Sequence, residues 1–203
     1  METMRLAWTA LAACLMAAPT QAQMVLTFPM SFAQFRTSLD AAIRADTLPH
    51  VPPDGFTTKS CAQRNNRYDC SFNDAGFRSA LRFWQRTGIL PVSGPVSQVL
   101  HLTAVTSGGQ LGSVVVTSIR SDMINLMVPY LSTVVAVMRV FEPGIGEDQR
   151  ELAQLVKELG LMRGDADPTI GKPATMTIAG ALVSCTNWNM HLTDKVECVF
   201  TPL

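Results

Sequence analysis

Apolar residues fall at Phe32, Phe35, Leu39, Ala42 and Ile43, with polar residues between them. That spacing follows the turn of an α-helix, and Ser31 offers an N-cap, so an amphipathic helix is predicted over residues 32–45. The extended connector Leu48-Pro-His-Val-Pro-Pro-Asp-Gly55 comes next, and Phe56–Cys61 reads as a strand. Residues 97–106 and 112–120 are rich in Val, Thr, Ile and Leu and flank a Gly-Gly turn, which predicts a β-hairpin. Met123–Phe141 is a strongly apolar helix in which Pro129 is expected to kink or restart the chain. Glu142-Pro-Gly-Ile-Gly146 breaks it, and Glu147-Asp148 opens another helix whose Leu152, Leu155, Val156 and Leu159 share one face. Two strands, Ala174–Thr186 and Lys195–Thr201, close the chain.

One segment fits two periods. Over residues 75–86, Phe77, Ala80, Leu81 and Trp84 form a helical face, while Phe77, Ser79, Leu81 and Phe83 alternate as in a strand. Asp74 as a cap and Gly88 as a stop favour the helix.

The pattern repeats internally. Phe32-Ala-Gln-Phe with Leu39 matches Leu152-Ala-Gln-Leu with Leu159, each ahead of a Ser-Cys strand. The returning strands carry Asp69-Cys-Ser-Phe72 and Glu197-Cys-Val-Phe200. The expected fold class is α+β: an antiparallel, hairpin-built sheet with helices packed on one face. An internal duplication is expected to give related halves of about 23–120 and 121–203 within one domain spanning 23–203.

The N-terminus changes the setting. Arg5, an apolar run from Leu6 to Ala18, and Thr20 and Ala22 ahead of Gln23 have the architecture of a signal peptide covering residues 1–22. The competing reading is a lipobox at Leu11-Ala-Ala-Cys14, with Cys14 lipidated. After cleavage at Ala22, four of the five cysteines remain, an even number in an exported chain, and they read as two disulfides. The expected location is periplasmic or secreted, or lipid-anchored through Cys14.

Geometry sharpens the first pair. A two-residue turn at Asn65-Asn66 places Arg64 opposite Arg67, Gln63 opposite Tyr68, Ala62 opposite Asp69 and Cys61 opposite Cys70. With asparagine at both central positions a type I′ turn is expected, and the cysteines fall at a non-hydrogen-bonded pair. Their Cα atoms then approach to about 4.5 Å, within disulfide range. Cys185 and Cys198 enclose an even number of residues, so they too can be directly opposed. Zinc is the rival for four cysteines, but the close C-x-x-C knuckles are absent.

Sixteen acids balance sixteen bases, so no global field draws the chain to nucleic acid or anionic lipid. Asn125, Pro129, Ser132, Thr133 and Arg139 interrupt the apolar helix, so no transmembrane span is expected in the mature chain. His50, His101 and His191 lack metal-ligand spacing, and no nucleophile elbow, phosphate loop or dinucleotide fingerprint occurs. No catalytic, cofactor-binding or metal residues are therefore assigned.

Local charge is more informative. Arg78, Arg82 and Arg86 are spaced four apart, and Arg64 and Arg67 crown the nearby hairpin, which together form a candidate binding patch for an acidic partner. Trp188, Met190 and His191 form a second candidate contact patch. The expected function is an exported, non-enzymatic envelope or secreted protein that binds a macromolecule. The alternatives are a hydrolase-type enzyme without a recognisable motif and an envelope-assembly lipoprotein anchored at Cys14.

Overall fold

The predicted N-cap at Ser31 is part of a reciprocal capping box in the computed structural model. The Gln34 amide donates to Ser31 Oγ at 3.3 Å, and the Ser31 amide donates to Gln34 Oε1 at 2.8 Å. Two of the amides that a helix start leaves unpaired are satisfied in this way. Helix α1, Phe32–Ala45, then buries Phe32, Phe35, Leu39 and Ile43. The structure describes residues 26–45, 58–72, 100–119, 124–161, 167–188 and 195–203.

The remaining elements are β1 (Thr58–Arg64), β2 (Arg67–Phe72), β3 (His101–Ser107), β4 (Gln110–Ile119), α2 (Ile124–Phe141), α3 (Gln149–Glu158), β5 (Ala174–Ile178), β6 (Ala181–Trp188) and β7 (Lys195–Pro202). The strands form one antiparallel sheet in the order β1-β2-β3-β4-β7-β6-β5. Two meanders, β1–β4 and β5–β7, meet where β4 pairs with β7. This is the predicted α+β class.

One face of the sheet holds the core. Cys70, Phe72, Leu102, Ala104, Val114, Val116, Val183, Cys185, Val196, Cys198 and Phe200 are all buried at alternating strand positions. Helices α1 and α2 pack against each other and against β4. Phe141 at the end of α2 stacks on Phe28 at 4.3 Å and on Phe200 at 6.1 Å, joining helix, N-terminal segment and sheet. That N-terminal segment is itself tied to β4. Phe28 donates to the Leu111 carbonyl at 2.7 Å, and the Leu111 amide donates to the Met30 carbonyl at 2.8 Å.

Three local expectations are corrected. The strand predicted over Ala174–Thr186 is two strands, because Gly180 takes φ +71° and reverses the chain between Ile178 and Ala181. Of the kink or restart expected at Pro129, the restart does not occur, for α2 runs as one element from Ile124 to Phe141. Pro129 lies in the second turn, where the only lost donor is the one that would reach the first turn, and its own carbonyl accepts from Thr133 Oγ1 at 2.8 Å. The turn at Asn65-Asn66 departs from type I′: Asn65 alone takes a positive φ, 55°, which is the requirement of type II′.

Polar side chains fasten the connections. Asp148 caps α3 by accepting from the Arg150 and Glu151 amides. Arg139 donates from Nε to the Ile145 carbonyl (3.1 Å) and from Nη2 to the Gly146 carbonyl (3.0 Å), holding the turn after α2. Glu142 Oε2 accepts from the Ala179 amide at 3.0 Å, fixing the β5–β6 turn against that same connection. Buried Asn187 donates to the Gly160 carbonyl at 2.6 Å, tying β6 to the end of α3. Among the described residues no helix is long and apolar enough to cross a membrane.

Candidate functional site

The β1–β2 hairpin has the register that its spacing predicts. Arg64 pairs with Arg67, Gln63 with Tyr68, Ala62 with Asp69 and Cys61 with Cys70. The cysteines are bonded, with Cα atoms 4.0 Å apart. Cys185 and Cys198 form the second disulfide, Cα atoms 4.1 Å apart, across β6 and β7. With all four sulfurs in S–S bonds, the zinc reading is set aside. The described residues contain no cluster of His, Cys, Asp and Glu able to hold a metal ion.

Three contacts make the hairpin tip rigid. At its base the disulfide spans the two strands. At the turn, the Asn66 carbonyl accepts from the Thr106 amide at 2.7 Å and from Thr106 Oγ1 at 3.1 Å, so the tip is tied sideways to β3. On the core side Tyr68 stacks on Phe32 of α1, ring centroids 3.9 Å apart.

On the solvent side lies a small polar network. Like charges directly opposed across a strand pair repel, and Arg64 faces Arg67. Asp69, two residues along β2 and so on the same face as Arg67, relieves this. Arg67 Nε donates to Asp69 Oδ1 at 2.7 Å, and Thr103 Oγ1 donates to the same oxygen at 2.9 Å. Arg67 Nη2 also reaches Thr103 Oγ1 at 3.4 Å. The Arg67 hydrogen bond, helped by Thr103 and by the charges of Arg67 and Arg64, holds the Asp69 carboxyl below its usual value despite some desolvation. Arg67 and Asp69 both stay in water, their side chains 56% and 40% exposed. Asp69 therefore orients Arg67, while Arg64 stands exposed across the turn.

Of the five arginines expected to form a basic patch, the structure brings Arg64 and Arg67 together. Arg78, Arg82 and Arg86 lie outside the described residues. Of the second expected patch only Trp188 falls among the described residues; it is half-buried, with Lys195 Nζ 5.1 Å from its ring centroid, and Met190 and His191 lie outside the described residues. His101 is exposed on β3, and His50, Cys14 and the N-terminal 22 residues are also outside the described set. Sequence reasoning missed Asp69 and Thr103. Arg67 and Asp69 at i and i+2 were a readable signal, since alternate residues of a strand share a face. Thr103 required the β2–β3 pairing, which no local pattern encodes.

Comparison with known proteins gives no relative: no family model, curated protein or solved structure matches the chain.

Proposed function

We propose that this chain is an exported, non-enzymatic protein that binds an acidic macromolecular partner through the β1–β2 tip. The observation that carries this reading is a pair of opposed, exposed arginines on a hairpin fixed by a disulfide, a β3 tether and an aromatic stack. A tip already ordered before contact loses little conformational entropy on binding, so charge complementarity there is not spent on fixing a loop. Two disulfides support an oxidising compartment, in line with the leader-like first 22 residues.

The test is capture of partners from an envelope or culture extract by the wild-type protein and by Arg64→Glu and Arg67→Glu. Wild type is expected to retain an acidic protein that is released as salt rises and screens the contact. Both variants should lose it. Equal retention of the same partner by wild type and both variants overturns the tip reading. Mass analysis of the native N-terminus tests export separately: a start at Gln23 is expected, and a diacylglycerol on Cys14 replaces the cleaved form with the lipid-anchored one.

A further inference from the structure

The sheet has two outer edges, and they are built differently. Edge strand β1 carries Lys59 and Arg64 and a register irregularity between Thr58 and Ser60. Charges and bulges are the usual means by which an edge resists pairing with another strand. Edge strand β5, Ala-Thr-Met-Thr-Ile, has no charge, no proline and an unbroken register against β6.

Its outward groups follow from the hairpin. Ile178 and Ala181 close a two-residue turn, so that pair exchanges both main-chain hydrogen bonds, as do 176 with 183 and 174 with 185. The N–H and C=O groups of Thr175 and Thr177 therefore point away from β6, out of the sheet edge. Both threonines are exposed, and among the described residues neither is seen to bond beyond β6.

We infer that this edge pairs with the same strand of a second copy of the chain, antiparallel and two-fold about Met176. In that register the outward groups match: Thr175 of each copy faces Thr177 of the other, giving four main-chain hydrogen bonds about the axis. The threonine side chains form two cross-strand Thr–Thr pairs on the outer face, a favourable combination. The two Met176 side chains, each already packed against the core edge, meet on the helix side.

No charged residue falls within the seam, since Ala174–Ile178 carry none. A seam of five residues per copy is at the small end of specific interfaces, so the dimer is a weak, concentration-dependent one.

Sedimentation equilibrium over about a hundredfold concentration range tests the inference by mass action. Wild type is expected to move from one chain mass toward two. Thr177→Pro removes an outward N–H without touching the β6 ladder, and Thr177→Lys places a charge on the seam; both are expected to stay monomeric with unchanged circular dichroism. Met176→Cys fixes the register: the two-fold pair is non-hydrogen-bonded and close enough to cross-link, so oxidation should give a covalent dimer that the exposed control Ala179→Cys does not. A wild type that stays monomeric throughout, or a dimer that survives both Thr177 changes, overturns the inference.

Discussion

The two stapled hairpins use one device in two surroundings. Cys61–Cys70 bridges the edge pair β1–β2, with Cys61 half-buried and a polar tip beyond it. Cys185–Cys198 bridges β6 and β7 inside the sheet, where the two cysteines are 1% and 0% exposed. There the phenol of Tyr130, buried on α2, donates to Cys198 Sγ at 3.1 Å. Matched by sequence, the hairpins occupy unlike places: one lies at the rim and the other adjoins the junction between the meanders. The same covalent bond therefore restrains a surface ribbon in one case and also fills core volume in the other.

Removing each bridge separates these contributions. Loop entropy alone predicts nearly equal losses of about 3 kcal/mol, since separations of 9 and 13 residues differ by only about 0.3 kcal/mol in that model. The Cys185→Ala/Cys198→Ala double variant also leaves a cavity beneath α2, and is expected to lose about 1–2 kcal/mol more than Cys61→Ala/Cys70→Ala. Denaturant unfolding of both variants measures the difference. Equal losses would mean that burial adds nothing to the central bridge.

A smaller effect isolates the phenol. Tyr130→Phe deletes the hydroxyl while keeping the ring, and sulfur is a weak acceptor, so a change of about 1 kcal/mol or less is expected. The pH dependence is more telling. Burial, reinforced by the nearby Glu197 charge, pushes the Tyr130 phenol well above its ordinary value of 10.0. A folded-state pKa raised above the unfolded one means that its contribution is complete below about 10 and is lost as pH rises beyond it. Phenolate absorbance from Tyr130 should therefore appear only with alkaline unfolding, and Tyr130→Phe should flatten the loss of stability above that pH.

The smallest effect belongs to the rim. Asp69 is held below its usual 3.8, so its contribution is present above that value and fades as pH falls through the lowered one. Asp69→Asn should be slightly less stable at neutral pH, with the difference vanishing in acid. Because it also removes the acid that offsets Arg67, this variant should hold an acidic partner more tightly. Weaker capture by Asp69→Asn would show that orienting Arg67 matters more than the added positive charge.

What could be read in the sequence was local. The Asn-Asn turn and the even spacing of Cys61 and Cys70 determine each other, so one hairpin was legible residue by residue. Phe32, Phe35, Leu39 and Ile43 gave the buried face of α1 for the same reason. The Ala179-Gly180 turn was not legible, because a lone glycine amid strand-forming residues has no partnering Asn, Asp or Pro to mark a reversal. The β4–β7 pairing and the contact of Tyr130 with Cys198 are long-range and leave no short-range pattern. At the candidate site the sequence supplied the arginines, but the fold decided that Arg67 would be shared with Asp69 and Thr103.

The central place of β7 has a consequence for how the molecule assembles as it is made. Strand β4 is complete long before β7 is synthesised, yet β7 is the neighbour that covers its second side. Until then the first meander ends in an open Val-rich strand, which invites pairing with other nascent chains. Closure depends on a contact distant in sequence, which favours slow, late folding. A product truncated before Lys195 should therefore aggregate rather than fold in part.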